Sequence, residues 1–347
     1  MKTCSRRGLA GSAARAALAA AILTVAGGET FAADFTLKIH HFLSPRSNDH
    51  TRHLVPWGKA VEAASGGRIA VQVFPAMQLG GKAPNLAKQV EDGVVDVGYT
   101  LPGYTPNKFK GSAGLELPFI GHGSEVMSQV AMAFYDMHLR DEYAQYHVIS
   151  IHSTDPATIH TPKRPVRRME DFKGLKVRVP SRYVGMAARL LGAVPGGLPL
   201  PQVYEALSRG QFNALMINWG VMTPFKLHEV TKYHTDVPVY NTMLATLMNR
   251  KSLDRLPADL RKHILDRSGF DYAHSLGRIW DEANRKSKDA ALARGNEIIR
   301  IGDAELARWK KQVEPAIQAW AEEMSSLGKD GPKMLADLRA LADKYRK

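Results

Sequence analysis

Arg178 stands in the run DFKGLKVRVPS (residues 171–181), between two valines and just before Pro180. Leu175, Val177 and Val179 alternate with Lys176, Arg178 and Pro180, the period of two of a half-buried strand. Pro180 must end that strand or place it at a sheet edge. A guanidinium is a planar, permanently charged fork of donors that meets a carboxylate in two parallel hydrogen bonds. Spacing alone leaves two readings open: an arginine that reaches from a sheet edge into water, or one held for an anion.

The other chemistry-bearing residues do not assemble into a catalytic pattern. The chain has 13 histidines. His228 and His234 are six apart, about 240° around a helix, whereas a zinc-protease helix needs the four-residue spacing that puts both on one face. Adjacent His40 and His41 point to opposite faces of a strand. Neither pair makes a metal site, and no metal is expected. GHGSE (121–125) lacks the third glycine of a dinucleotide loop and the strand-helix unit around it. There is no G-x-S-x-G elbow. The pairs Glu91-Asp92 and Glu322-Glu323 have basic neighbours on helices and read as solvated faces. No cofactor is expected and nothing supports an enzyme, although an exported enzyme acting on organic acids is the alternative from another class.

These residues belong to a chain built for export. Lys2, Arg6, Arg7 and Arg15 precede the apolar run 16–26, and GGETFAA ends in small residues, so residues 1–32 read as a signal peptide cut near Ala32. SRRGL (5–9) has a twin-arginine flavour without the usual basic residue before the cut, which leaves the export route open. Cys4 is the only cysteine and falls in the charged start, so the mature chain is expected to have neither thiol nor disulfide. About 315 residues bury enough apolar surface to fold without staples. The formal charge of +13 becomes +10 once four basic residues and Glu29 are removed. The basic residues are scattered beside acidic ones, without aromatic interleaving, so no nucleic acid is expected as a partner.

The elements that must position Arg178 follow an α/β pattern. FTLKIHHF (35–42), IAVQVFP (69–75) and VVDVGYT (94–100) read as strands separated by helices that stop at Ser65-Gly66-Gly67 and Gly93. βαβαβ alternation implies a mostly parallel sheet. LAKQVEDGVVDVGY can be laid over VYEALSRGQFNALM, 117 residues later, with Gly93 over Gly210 and Asp96 over Asn213. Two similar α/β domains are the economical reading. Residues 240–250 form an apolar strand, and beyond them the pattern is helical, with an uninterrupted stretch at 270–294 long enough to cross two domains. The expected boundaries are 34–157 with about 242–285 for a first lobe, and 158–241 with about 286–347 for a second lobe and the C-terminal helices.

SGGRIAVQVFPAMQLGG (65–81), VEDGVVDVGY (90–99), LELPFI (115–120), KRPVRRMEDFKGLKVRVPS (163–181) and PQVYEALSRGQFNA (201–214) occur in order and in register. As a set they resemble the solute-binding proteins of tripartite ATP-independent periplasmic (TRAP) transporters, of the dicarboxylate-binding DctP-like type, over essentially the whole mature chain. The resemblance implies a periplasmic binding protein of type II-like architecture, two α/β domains with a hinge and a long domain-spanning helix. It implies capture of a small organic acid and delivery to TRAP membrane permease subunits in the periplasm, without turnover; a ligand-bound sensory adaptor is the other role such a protein can play. It also implies that the arginine of the GLKxR strand, here Arg178, pairs with the ligand carboxylate.

The chain departs from that pattern in three places, one of them the segment VMTPFKLHEVTKYHT (221–235), which resembles a subset of the family without an assigned ligand. Where many members carry a second arginine, alignment back from Lys163 places Ala157, so a two-arginine clamp is not expected. The usual DGQENP is here NALMINWG (213–220), which brings Asn218 and the large ring of Trp219. The expected ligand has one carboxylate and a less charged, partly apolar or aromatic remainder. Tyr99 and Tyr104 flank the loop after the third strand, at the carboxyl end of a parallel sheet where α/β ligands bind. His41 and Phe42 occupy the equivalent loop after the first strand, and Thr158 and His160 lie on the strand that carries Ala157. Each of these has a packing role as its alternative.

Overall fold

The computed structural model describes residues 33–346; the expected signal peptide, its cut near Ala32 and Cys4 lie outside the described residues. In chain order the strands are β1 (Phe35–His41), β2 (Ile69–Phe74), β3 (Val97–Thr100), β4 (Tyr146–Ser153), β5 (Ala157–Thr161), β6 (Lys176–Val179), β7 (Val194–Gly197), β8 (Ala214–Asn218), β9 (Tyr233–Tyr240), β10 (Met243–Asn249) and β11 (Glu297–Ile299). They form two sheets, ordered β2-β1-β3-β10-β4 and β11-β9-β5-β8-β6-β7. In each, a parallel trio (β2-β1-β3, then β7-β6-β8) is continued by antiparallel pairings, and the second sheet ends with β11 parallel to β9. No helix among the described residues is long and apolar enough to cross a membrane.

The internal repeat has a physical basis in both lobes. The helices Leu86–Glu91 and Val203–Ser208 are each followed by a left-handed glycine, Gly93 at φ 73° and Gly210 at φ 71°, a conformation other residues adopt at a cost. Three residues on, Asp96 accepts the Lys38 amide through its carboxylate at 2.8 Å, and Asn213 accepts the Lys176 amide through its side chain at 2.7 Å. One short polar side chain thus pins the middle strand of each parallel trio, at Lys38 midway along β1 and at Lys176 at the start of β6, to the incoming third strand. The alternation read in β1 is what buries Leu37 and Ile39 completely.

The chain crosses between the sheets at residues 154–156 and again at 241–242. The two crossings are tied together: the Thr154 amide donates to the Thr242 carbonyl at 2.9 Å, and Asn241 Nδ2 donates to the Thr154 carbonyl at 3.0 Å. The third connection is the helix Phe270–Ala293, 24 residues or about 36 Å at 1.5 Å per residue. It lies along the helix Ser124–Phe134 of the first lobe and reaches the turn Trp219–Val221 of the second. Asp281 on this helix accepts the Ser124 and Glu125 amides at 2.9 and 3.1 Å, capping the start of the shorter helix from outside.

That packing is close enough to need a glycine. A Cβ on Gly277 would lie 2.6 Å from Glu125 Cα and 2.7 Å from the Ser124 carbonyl oxygen. Both obstacles are backbone and cannot swing aside. Gly277→Ala would gain about 1 kcal/mol of helix propensity, but the overpacking term should win. A net loss of about 1–3 kcal/mol is expected in urea unfolding, and an unchanged midpoint would refute the close contact.

The C-terminal helices differ from the sequence expectation, which placed all of 286–347 with the second lobe. The helix Asp303–Ser326 bridges: Trp309 packs edge-on against Phe172 in the second lobe, while the Trp320 indole donates to the Lys110 carbonyl in the first at 3.0 Å. The last helix, Gly331–Arg346, puts Met334, Leu335 and Leu338 into the same core as Met127 and Phe134 of the first lobe. The helical periodicity was legible, but which sheet each stripe covers depends on the path of the chain.

Candidate functional site

Arg178 is the penultimate residue of β6, opposite Leu215 of β8 on one side and Gly196 of β7 on the other. β6 is therefore an interior strand, and Pro180 follows its end; the edge is β7. The side chain is only 2 % exposed. Its Nε donates to the Leu198 carbonyl at 2.8 Å, which leaves the outer fork for another acceptor. Among the described residues no carboxylate forms an ion pair with it. A buried guanidinium without an anion is costly, and proteins pair or hydrogen-bond such a charge.

The fork borders a cavity between the lobes. Phe42, Leu43, Leu101, Tyr104 and Leu244 come from the first lobe, and Pro180, Leu200, Ile217, Asn218 and Val221 from the second. Thr154 and Thr242, at the two crossings, and Trp280, on the long helix, close the rim. The cavity is tight, about 30 Å³ in volume. This is a narrow slot with apolar walls, and Arg178 is its only charged lining residue among those described. Tyr104 joins the lobes: its hydroxyl accepts the Leu200 amide at 2.8 Å, and its ring meets Phe42 edge-on at 5.5 Å. Burial raises the Tyr104 hydroxyl's pKa, and the Arg178 charge draws it back.

Two buried carboxyls stand behind the slot. Glu116 is 2 % exposed and takes the Met243 amide on Oε1 at 3.0 Å, while Oε2 has no partner. Burial pushes its pKa up to about 7, against the opposing pull of the nearby Ser181 hydroxyl, then the Met243 amide and last the Arg178 charge. Asp155, in the first crossing, accepts from Asn218 Nδ2 at 2.8 Å, from the Gly220 amide at 3.2 Å and from Asn284 Nδ2 at 2.9 Å. Burial raises it too, to about 7. Asp155 thereby holds the end of β8 and the long helix at one point, and sets the orientation of the Asn218 amide at the cavity wall.

Of the residues singled out in the sequence, Arg178, Asn218, Tyr104 and Phe42 line this cavity. Trp219 does not. It is fully buried, with its indole nitrogen donating to Asp236 at 3.1 Å and its ring against His160 and His234. Thr158 and His160 lie in the same second-lobe interior. There Asn296 Nδ2 donates to His234 Nε2 at 3.0 Å, His234 Nδ1 to His160 Nδ1 at 2.7 Å, and His160 Nε2 to the Ile217 carbonyl at 3.1 Å. This relay uses one proton per ring, and burial holds both histidines' pKa values below the usual range, that of His234 near 4. His41 and Tyr99 sit on the first-lobe sheet beneath the slot. His41 accepts the Leu43 amide at 3.2 Å and bonds His50 at 3.0 Å. Tyr99 bonds Asp49 and His152.

Trp280, Leu101, Leu244 and the paired threonines were not read from the sequence. The threonines carried a usable signal, since each sits where an apolar strand ends at a crossing. Trp280 carried none, because a helix stripe does not reveal which of its turns meets the crossings.

Known proteins show the same architecture. The model of bacterial extracellular solute-binding protein, family 7, matches residues 39–323. A TRAP solute-binding protein from an unidentified marine microbe, specific for aromatic acid ligands and solved with metahydroxyphenylacetate, is 34% identical. It superimposes with a TM-score of 0.88, over 90% of this chain and 100% of that one. A TRAP solute-binding protein from Rhodoferax ferrireducens, solved with copurified benzoate, is 35% identical with a TM-score of 0.87, over 90% of this chain and 98% of that one. Among curated relatives, the outer membrane transporter protein TsaT of Comamonas testosteroni is 27% identical over 320 residues, 88% of this chain and 91% of its own length.

Proposed function

Since the chain belongs to bacterial extracellular solute-binding protein family 7 and is a TRAP solute-binding protein for a small organic acid, we propose that its cargo is an aromatic monocarboxylate. The cargo is held by Arg178 and delivered unchanged to a membrane permease. The observation that carries this reading is the buried guanidinium of Arg178, without an ion-pair partner among the described residues, at the end of a narrow apolar slot. A carboxylate supplies the bidentate acceptor that the fork lacks. The slot then selects what is attached to it. A flat ring admitted when the lobes part would be walled by Phe42, Leu101, Leu244 and Ile217, and burying about 150 Å² of ring contributes roughly 4 kcal/mol.

A second carboxylate has no place. Ala157, where a second arginine stands in many members, is fully buried in β5 between Asn218 and Tyr240, and the cavity wall offers no other cation. Burying an unpaired carboxylate costs several kcal/mol. The two similar proteins solved with aromatic acids support the same class. The role is transport, as for the family; periplasmic placement accords with the family and with the export segment read at residues 1–32.

Closure traps the ring because both lobes contribute walls and Tyr104 is bonded to Leu200 across the gap. The test is a thermal-shift panel on the purified mature chain. Benzoate, 3-hydroxybenzoate and 3-hydroxyphenylacetate at 1,000 times their Kd contribute about 4 kcal/mol of stabilisation, whereas succinate and glucuronate at equal concentration leave the melting temperature unchanged. Stabilisation by succinate equal to that by benzoate would overturn the monocarboxylate reading.

A further inference from the structure

One layer beneath the slot, inside the first lobe, Asp49, His53 and His152 come together. Asp49 and His53 are four residues apart on the helical turn Asp49–Leu54, and so share one face of it. His152 comes from β4, beside the cavity-lining Leu244 of β10. One potential ligand atom from each lies within 4.8 Å of the others. The three residues are 2, 2 and 0 % exposed. Each has one atom without any hydrogen-bond partner: Asp49 Oδ2, His53 Nδ1 and His152 Nδ1.

Their remaining polar atoms are held in place. Tyr99 Oη donates to Asp49 Oδ1 at 2.5 Å and receives the Nε2–H of His152 at 3.0 Å. His152 in that tautomer presents a bare lone pair at Nδ1. His53 Nε2 lies 3.4 Å from Thr246 Oγ1, which is itself held by Ser150. Buried polar atoms are rarely left unmet. Three such atoms stand on adjoining side chains, with Asp49 Oδ1 and His152 Nε2 3.8 Å apart, and a cation would meet the carboxylate oxygen and the lone pair of each ring nitrogen that carries no proton.

We propose that Asp49, His53 and His152 bind a single divalent transition-metal ion of the zinc class as a structural site in the first lobe. Two imidazoles and a carboxylate favour Zn²⁺ over Mg²⁺ or Ca²⁺, which prefer all-oxygen shells. The outer bonds match the usual support of metal-bound histidines, whose second nitrogen donates to a fixed acceptor. His41 and His50 satisfy one another at 3.0 Å and stand apart from the site. The ion would tie the segment after β1, which carries the cavity residues Phe42 and Leu43, to β4. This inference does not depend on which acid fills the slot.

Because the residues are sealed, loading is tested through refolding of the whole mature chain. The protein is unfolded in guanidinium with a chelator, then refolded with one equivalent of ZnCl₂ or without metal, and gel-filtered. One zinc per chain is expected to remain by elemental analysis, with a melting temperature higher by about 5 °C. His53→Gln and Asp49→Asn, the second of which keeps an acceptor for Tyr99, should each weaken Zn²⁺ retention at least about tenfold. Cobalt loading should give the visible absorption of protein-bound Co²⁺, a readout independent of the variants' folding. Absence of zinc from the refolded wild type, equal retention by both variants, or an anomalous map at the zinc edge showing only water would overturn the proposal.

Discussion

With Arg178 replaced by methionine, benzoate binding is expected to weaken by at least about 10²-fold while the unliganded fold survives. Methionine preserves most of the buried volume and removes the charge. In the wild type, the guanidinium's desolvation is offset by the Leu198 carbonyl and, in the complex, by the ligand. In the variant, a bound carboxylate would be buried without its fork, a cost of roughly 3–5 kcal/mol. The same reasoning predicts an unliganded melting temperature that is unchanged or higher, because an unpaired buried charge has been taken away. Arg178→Lys separates charge from geometry. A compact ammonium on a flexible stem gives up the bidentate match, so an intermediate loss of about tenfold is expected. Titration calorimetry on the three proteins decides the matter, and wild-type affinity in Arg178→Met would remove Arg178 from the site.

The two-lobe α/β organisation was legible because local rules and global fold agree. Strand alternation, glycine stops and the Asp96/Asn213 position recur in both halves and make the same hydrogen bond to the central strand. Arg178 itself was only half legible. Its strand could be read, but not that the short Val194–Gly197 segment would pair outside it and turn an apparent edge into an interior position. Strand order is a tertiary property, and the glycine-rich VPGG carries little strand signal of its own. Asn218 and Trp219 show a finer limit. They are neighbours in sequence at the end of β8, yet one borders the slot and the other turns into the second lobe beside His160 and His234. The Asp49-His53-His152 group escaped a search confined to histidine pairs. Two members carry the i, i+4 spacing of helical metal ligands, but one is an aspartate and the third lies about a hundred residues away.

Glu116 should make ligand affinity depend on pH. In the unliganded protein burial raises its pKa to about 7, and the positive charge of Arg178 is one of the influences keeping it from rising further. A ligand carboxylate on Arg178 cancels that influence and adds a negative charge nearby, so the pKa of Glu116 must rise on binding. Binding therefore takes up a proton at any pH between the free and bound values. The sign follows: between about 7 and the bound value the Kd increases with pH, by at most tenfold per unit, and it levels off above that window and below about 7, where Glu116 is already protonated before the ligand arrives. Calorimetry in buffers of different ionisation enthalpy at pH 8 should report uptake of up to one proton. Stability follows the same linkage. The folded-state pKa lies above the ordinary glutamate value of 4.5, so the folded protein keeps a proton that the unfolded chain releases. The stabilisation is complete below about 4.5, declines as pH rises to about 7, and amounts to about 3 kcal/mol at most. Asp155 titrates in the same range, so the contribution of Glu116 is isolated with Glu116→Gln. This variant keeps an oxygen for the Met243 amide and cannot ionise. It should bind benzoate more tightly than wild type at pH 8 and lose the pH slope of Kd; a wild-type slope in Glu116→Gln would assign the proton to another group.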